Sequence, residues 1–152
     1  MKSPGFFLVV IALTAAGCSP LVLRPANFAW PIEDVLKSDL HGMVHEERYS
    51  LSFSIKPLMY AETKDSVHVS NRIIRLIRGE QGYYFITGPK FKNVYVFSQG
   101  NGGLVLVNRI LVSKTGLSSP AFNQRAPYIE LLNGGQKPVL LTRDGIVKEV
   151  KK

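Results

Sequence analysis

Tyr49-Ser50-Leu51-Ser52-Phe53-Ser54-Ile55 alternates apolar and polar positions without a break, which sends Tyr49, Leu51, Phe53 and Ile55 to one side and three serines to the other. This period of two predicts a strand with one face in a core and one in solvent. Ser66 to Arg78 is less simple: Arg72, Arg75 and Arg78 recur at helical spacing, while Ile73, Ile74 and Ile77 are β-branched. A strand is the preferred reading, because Gly79-Glu80-Gln81-Gly82 then turns the chain into Tyr83-Tyr84-Phe85-Ile86-Thr87 as a hairpin.

Turn residues punctuate the rest at regular intervals. Gly88-Pro89-Lys90 leads into Asn93 to Phe97, and Ser98 to Gly103 leads into Leu104 to Val112. The first four residues of that last run, Leu104-Val105-Leu106-Val107, do not alternate, which predicts a strand covered on both faces. After a longer loop from Ser113 to Pro127 come Tyr128 to Leu132, the Asn133-Gly134-Gly135-Gln136 turn, Pro138 to Thr142, the Arg143-Asp144-Gly145 turn and Ile146 to Val150. Asp-Gly between apolar runs is a strong hairpin signal.

Short strands at this spacing predict a mainly β chain, a single antiparallel sandwich or barrel-like domain, rather than βαβ units. One segment stands apart. Ile32, Val35, Leu36 and Leu40 would share a helical face with Pro31 at its start, which predicts one short helix near residues 32–40; a hairpin through Asp39-Leu40-His41-Gly42 is the competing reading.

The chain begins with Lys2, an unbroken apolar run from Phe6 to Leu13, then Ala15, Ala16 and Gly17 before Cys18, its single cysteine. A membrane-spanning helix needs roughly 20 apolar residues, so this run is too short to span and reads as an export leader. Ala15-Ala16-Gly17-Cys18 resembles the lipobox of bacterial lipoproteins, matching it in three of four positions, with Ala15 where that family prefers Leu. The resemblance implies cleavage between Gly17 and Cys18, acylation of Cys18, and, with Ser19 rather than an aspartate next, an address at the periplasmic face of the outer membrane. A secreted protein with a free thiol is the alternative. The expected organisation is a signal peptide over 1–17, a Pro-containing tether over 18–31 (Pro20, Pro25, Pro31), and a β-rich domain over 32–152. No disulfide can form within the chain, so burial has to hold the domain together.

Net charge is +8, and it is unevenly spread. From Cys18 to Asp65 seven carboxylates outnumber five cations, whereas from Ser66 to Lys152 thirteen cations face four carboxylates. Arg72, Arg75, Arg78, Lys90 and Lys92 lie near Tyr83, Tyr84, Phe85, Phe91 and Tyr95 and are the candidate basic binding surface. In the envelope its counter-charges would be anionic glycan, lipopolysaccharide phosphate or an acidic envelope protein, besides the membrane lipid reached through Cys18; nucleic acid is not an expected partner.

Catalytic patterns are weak. His41 and His45 stand four apart with Glu46 next, but Gly42 between them disfavours the helix that a two-histidine zinc site would need, and no metal or cofactor is expected. His68 between two valines points to solvent, and adjacent Glu46 and Glu47 point to opposite faces of a strand. There is no nucleophile elbow, P-loop or dinucleotide fingerprint. The chain is therefore expected to be a non-catalytic binding or accessory lipoprotein of the envelope. An envelope hydrolase or glycan-active enzyme, and a secreted inhibitor-like factor, are the alternatives.

Overall fold

In the computed structural model, residues 32–148 are described, and they form antiparallel sheets stacked as layers of a sandwich. The middle layer has five strands in the order β1-β4-β5-β6-β7, with β1 Asp34–Lys37, β4 Ile73–Arg78, β5 Tyr84–Thr87, β6 Asn93–Gly100 and β7 Gly103–Leu111. One face packs on the hairpin of β2 (Met43–Glu46) and β3 (Leu51–Ser54) and on the helix α1 (Lys56–Thr63). The other packs on a four-stranded sheet ordered β11-β10-β9-β8, built from β8 Pro120–Arg125, β9 Tyr128–Asn133, β10 Val139–Thr142 and β11 Gly145–Ile146. No sheet closes on itself, so the fold is sandwich-like and not a barrel.

Alternation along the middle strands sorts the core into two clusters. Ile74, Leu76, Tyr84 and Ile86 face Val44, Ile55, Leu58 and Met59. Ile77, Phe85, Val94 and Val96 face Phe122, Ile129, Leu131 and Leu141. With both faces covered, all four residues of β5 are buried. Each fully buried aliphatic side chain of this kind contributes about 1.5–3 kcal/mol, which lets a chain without disulfides hold together.

The turn at Gly79 to Gly82 appears as expected, and of the strand expected over Tyr49 to Ile55 the part Leu51–Ser54 forms, Tyr49 and Ser50 lying in the turn before it with Ser50 at φ 50°. Val44 pairs with Phe53 in β2–β3, and Gly82 N donates to Gly79 O at 2.9 Å in the β4–β5 turn. Three expectations are corrected. Residues 32–40 hold no helix: β1 pairs with β4 (Val35 with Arg75), because the open edge of β4 offers the segment a ladder of backbone hydrogen bonds that outweighs its helical period. The helix instead follows β3. It starts with Pro57 in its first turn and buries Leu58 and Met59, and it ends at Lys64 in the left-handed region (φ 62°), whose N–H donates to Tyr60 O.

The loop expected over Ser113 to Pro127 contains β8, which pairs along β9 from Pro120 with Asn133 to Arg125 with Tyr128. Its mixed sequence is held in place by its partner strand, since Asn123 and Arg125 donate to the buried Glu130 carboxylate at 3.1 and 2.9 Å. Lastly, Leu104-Val105-Leu106-Val107 is not covered on both faces. β7 is the outer strand of its sheet, and Val105, Leu106 and Val107 are 56%, 51% and 46% exposed.

Candidate functional site

Two loops build a concavity of about 380 Å³ beside α1, floored by Met59 and Phe91 and bordered by Asp65, Asn71, Arg72 and Lys90. Ser38 fixes the first loop. Its hydroxyl donates to Val69 O at 2.5 Å and accepts from Arg72 N at 2.8 Å, and its N–H donates to Arg72 O at 3.0 Å. Arg72 Nε donates to His68 O at 2.9 Å, which holds the guanidinium over the loop. Asp65 closes the same loop by accepting from Val67 N and His68 N at 2.8 and 3.2 Å and by meeting His68 Nδ1 at 2.6 Å. Those hydrogen bonds to its charged form, led by the one from Val67, lower the Asp65 carboxyl to about 2.

The second loop is held as tightly. Lys90 lies in the left-handed region (φ 70°), with its N–H donating to Leu117 O at 2.7 Å while Leu117 N donates to Phe91 O at 2.8 Å. Gly116 permits that closeness: a Cβ there would stand 2.8 Å from Lys90 O, and its φ of +101° is a glycine conformation. Glu62 ties α1 to the start of β6, accepting from Lys92 N at 2.7 Å and from Asn93 Nδ2 and Tyr95 Oη at 2.8 Å each. Burial, followed by this bond to Glu62, pushes the Tyr95 hydroxyl well up, so it stays a donor. Lys90 and Lys92 are exposed, and among the described residues neither ammonium makes an ion pair.

The structure does not gather all five cations proposed from the sequence. Arg72 and Lys90 share the concavity, and Lys92 follows on the same loop. Arg75 and Arg78, three apart on β4, fall on opposite faces of the sheet. Arg75 pairs with Glu33 at 3.1 Å, and Glu33 also accepts from Phe122 N at 2.8 Å, so this pair joins the middle sheet to β8. Arg78 lies over the rings of Tyr49 and Tyr84, 5.6 and 5.4 Å from their centroids, while those rings meet edge to face. Both arginines have a buried Nε without a hydrogen-bond partner, the mark of a packed stem.

The histidines are dispersed. His41 is exposed in the turn that Asp39 closes by accepting from His41 N and Met43 N at 2.8 Å each, and these bonds, Met43's first, lower the Asp39 carboxyl. His45 Nδ1 meets Ser52 Oγ at 2.7 Å across β2–β3. It borders a second, open concavity of about 550 Å³ with Asp34, Glu46, Glu47 and Arg48, which His41 does not reach. Glu46, the last residue of β2, is buried, and Glu47, exposed, opens the turn that follows, its O accepting from Ser50 N at 3.2 Å. Both Glu46 oxygens are engaged, one by Arg48 N at 3.0 Å and one by Tyr49 N at 2.5 Å. Burial, outweighing Arg48, raises Asp34, and the neighbouring Glu46 and Glu33 carboxylates add to it. Among the described residues no group of three or more His, Cys, Asp or Glu is placed to hold a metal ion.

Sequence reasoning missed Glu62 and Ser38. Pro57 near the start of an apolar pair was the signal for the helix carrying Glu62; Ser38 acts through contacts to Val69 and Arg72 that leave no local pattern. Cys18 and the Gly17–Cys18 bond lie outside the described residues. No family model, curated protein or solved structure matches the chain.

Proposed function

We propose that this protein is a lipid-anchored envelope lipoprotein, held through an acylated Cys18 at the periplasmic face of the outer membrane, whose domain works by binding an anionic partner. Two kinds of residue support the reading. Ala15-Ala16-Gly17-Cys18 supplies the anchor, since stable attachment takes two acyl chains and this motif's processing would provide them. Most of the domain's half-buried and buried carboxylates are committed to structure: Glu33, Glu46 and Glu62 accept backbone N–H groups, and Glu130 holds Asn123 and Arg125, while Asp34 pairs with Arg48 through one oxygen and keeps the other, buried Oδ2 without a partner. That use favours a binding module over acid–base chemistry.

The observation that carries the binding reading is Arg72 and Lys90 on one concavity above an apolar floor of Met59 and Phe91. A planar donor fork beside a mobile ammonium suits phosphate or carboxylate groups on a glycan, and the apolar floor suits the face of a sugar ring. Anchoring raises the local concentration of the module, so weak contacts suffice. Arg72→Gln with Lys90→Gln is expected to weaken capture of lipopolysaccharide at least tenfold while leaving Arg78→Gln capture near wild type, and binding should fall as salt rises past physiological strength. Capture that ignores both salt and the double substitution defeats the reading. The anchor is checked separately, by the intact mass of the mature N-terminus and by release of Cys18→Ser from the membrane fraction.

A further inference from the structure

β7 runs along the free edge of the five-stranded sheet with Val105, Leu106, Val107 and Leu111 uncovered, the last at 58% exposure. Leu106 lies opposite Phe97 and Val105 opposite Ser98, so these two point to opposite faces, and Val107 takes the extra position where the register shifts between Val96 and Phe97. Exposure on both faces at once narrows what covers the strand. A strand added at the edge would pair with the backbone and leave both sets of side chains in water, and a flat protein surface would cover one set. A bilayer interface surrounds an edge pressed into it and takes up both.

The charge around the strand fits the same occupant. From Gln81 to Ile129 the chain has Lys90, Lys92, Arg109, Lys114 and Arg125 and no Asp or Glu. Arg109 is on β7 itself, opposite Tyr95. Lys92 and Lys114 flank Leu111, because Val112 N and Ser113 N donate to Lys92 O at 2.9 and 3.1 Å. The carboxylates nearby are engaged: Glu62 with Lys92 N, Asn93 and Tyr95, and Asp144 with Arg143 at 3.5 Å. Half-exposed Ile146 extends the apolar rim, since β11 approaches β7 where Asn108 Nδ2 donates to Arg143 O at 3.0 Å.

We propose that β7 is a membrane-contacting edge, with Val105, Leu106, Val107 and Leu111 seated at the headgroup–acyl boundary of an anionic bilayer and Arg109, Lys92 and Lys114 at its phosphates. The proposal concerns the domain's own surface and does not rest on acylation of Cys18. It is tested in the full chain carrying Trp30→Phe, with one new tryptophan as Leu106→Trp, Val105→Trp or Leu40→Trp, on phosphatidylethanolamine–phosphatidylglycerol vesicles with brominated acyl chains. Leu40 is the control. It is 80% exposed and follows β1, at the opposite edge of the sheet, four strand spacings or about 19 Å away.

Both β7 tryptophans are expected to be quenched at least threefold more than the Leu40 one, and the contrast should shrink when phosphatidylglycerol is omitted. Because all three variants share whatever anchor Cys18 supplies, the contrast is independent of it. Equal quenching at all three positions overturns the proposal. So does quenching at only one β7 position, which marks a one-sided protein contact, or a vesicle-free blue shift with concentration-dependent sedimentation, which marks a second copy. All three positions are exposed and accept an indole, and an unchanged melting temperature confirms that each variant is folded.

Discussion

Tyr84-Phe85-Ile86-Thr87 and Leu104-Val105-Leu106-Val107 are both four-residue runs without alternation in one sheet, yet the first is buried throughout and the second is largely bare. β5 stands third of five strands with a layer on either face, whereas β7 stands last, reached by the layers at Leu104 and Ile110 but not at Val105, Leu106 and Val107. An apolar run without alternation thus does not by itself report burial on both faces; whether a layer covers it depends on the strand's place in the strand order. The largest difference between the two should appear on truncation. Ile86→Ala is expected to cost about 2–5 kcal/mol in denaturant unfolding, because it opens a cavity in a closed core, whereas Leu106→Ala should stay within about 0.5 kcal/mol. A cost above 1.5 kcal/mol for Leu106→Ala would mean that β7 is packed in solution and would erase the contrast.

The two edges of the sheet differ in chemistry as well. The β1 edge is tied down by ions: Arg48 meets Asp34 at 2.5 Å, and Glu33 bridges Arg75 to the backbone of β8. The β7 edge carries no carboxylate. Glu33→Ala leaves Phe122 N and the Arg75 guanidinium without their acceptor, and its expected cost is about 1–3 kcal/mol. Glu33→Gln, which keeps one carbonyl oxygen for Phe122 N, should cost less than half of that. Equal costs for the two would place the energy in the side-chain stem and not in the bridge.

What was legible in the chain follows the same division between local and tertiary causes. The serine alternation of β3, the Gly79 to Gly82 turn and the Asp144-Gly145 turn are set by nearest neighbours, and they stand where they were expected. β1 owes its form to β4, distant in sequence, so Ile32 to Leu40 kept a helical period that the edge of β4 overrode; β8 pairs with its neighbour β9, but its polar Asn123 and Arg125, held by Glu130, broke the apolar alternation that marks a strand. The candidate site divides likewise. Once Ile73 to Arg78 is a strand, a spacing of three sends Arg75 and Arg78 to opposite faces by alternation alone, and that split was available from the residues. That Arg72 meets Lys90 was not, because their approach depends on Ser38 and Gly116, neither of which has a signature.

Acid should separate the two edges further, by a smaller effect. Asp65 and Asp39 are held below their ordinary value of 3.8 by loop N–H groups, Asp65 at about 2. Their stabilisation is whole above 3.8 and is lost as pH falls through that window, because the unfolded chain takes up the proton first. Asp34 has the opposite sign: burial raises it, so the folded state binds its proton more tightly and loses stability as pH rises from 3.8. Amide exchange, corrected for its intrinsic pH dependence, is expected to show protection lost at 65–68 on going from 3.8 to about 2 and at 39–43 as pH falls below 3.8, while 93–111 keeps its protection. Asp65→Asn should remove most of the acid loss in its own loop, and Asp34→Asn should flatten the decline above 3.8. If β7 opened together with the Asp65 loop, the acid-sensitive side and the apolar edge would be one cooperative unit, and the membrane-facing strand could not move independently of the concavity that Arg72 and Lys90 border.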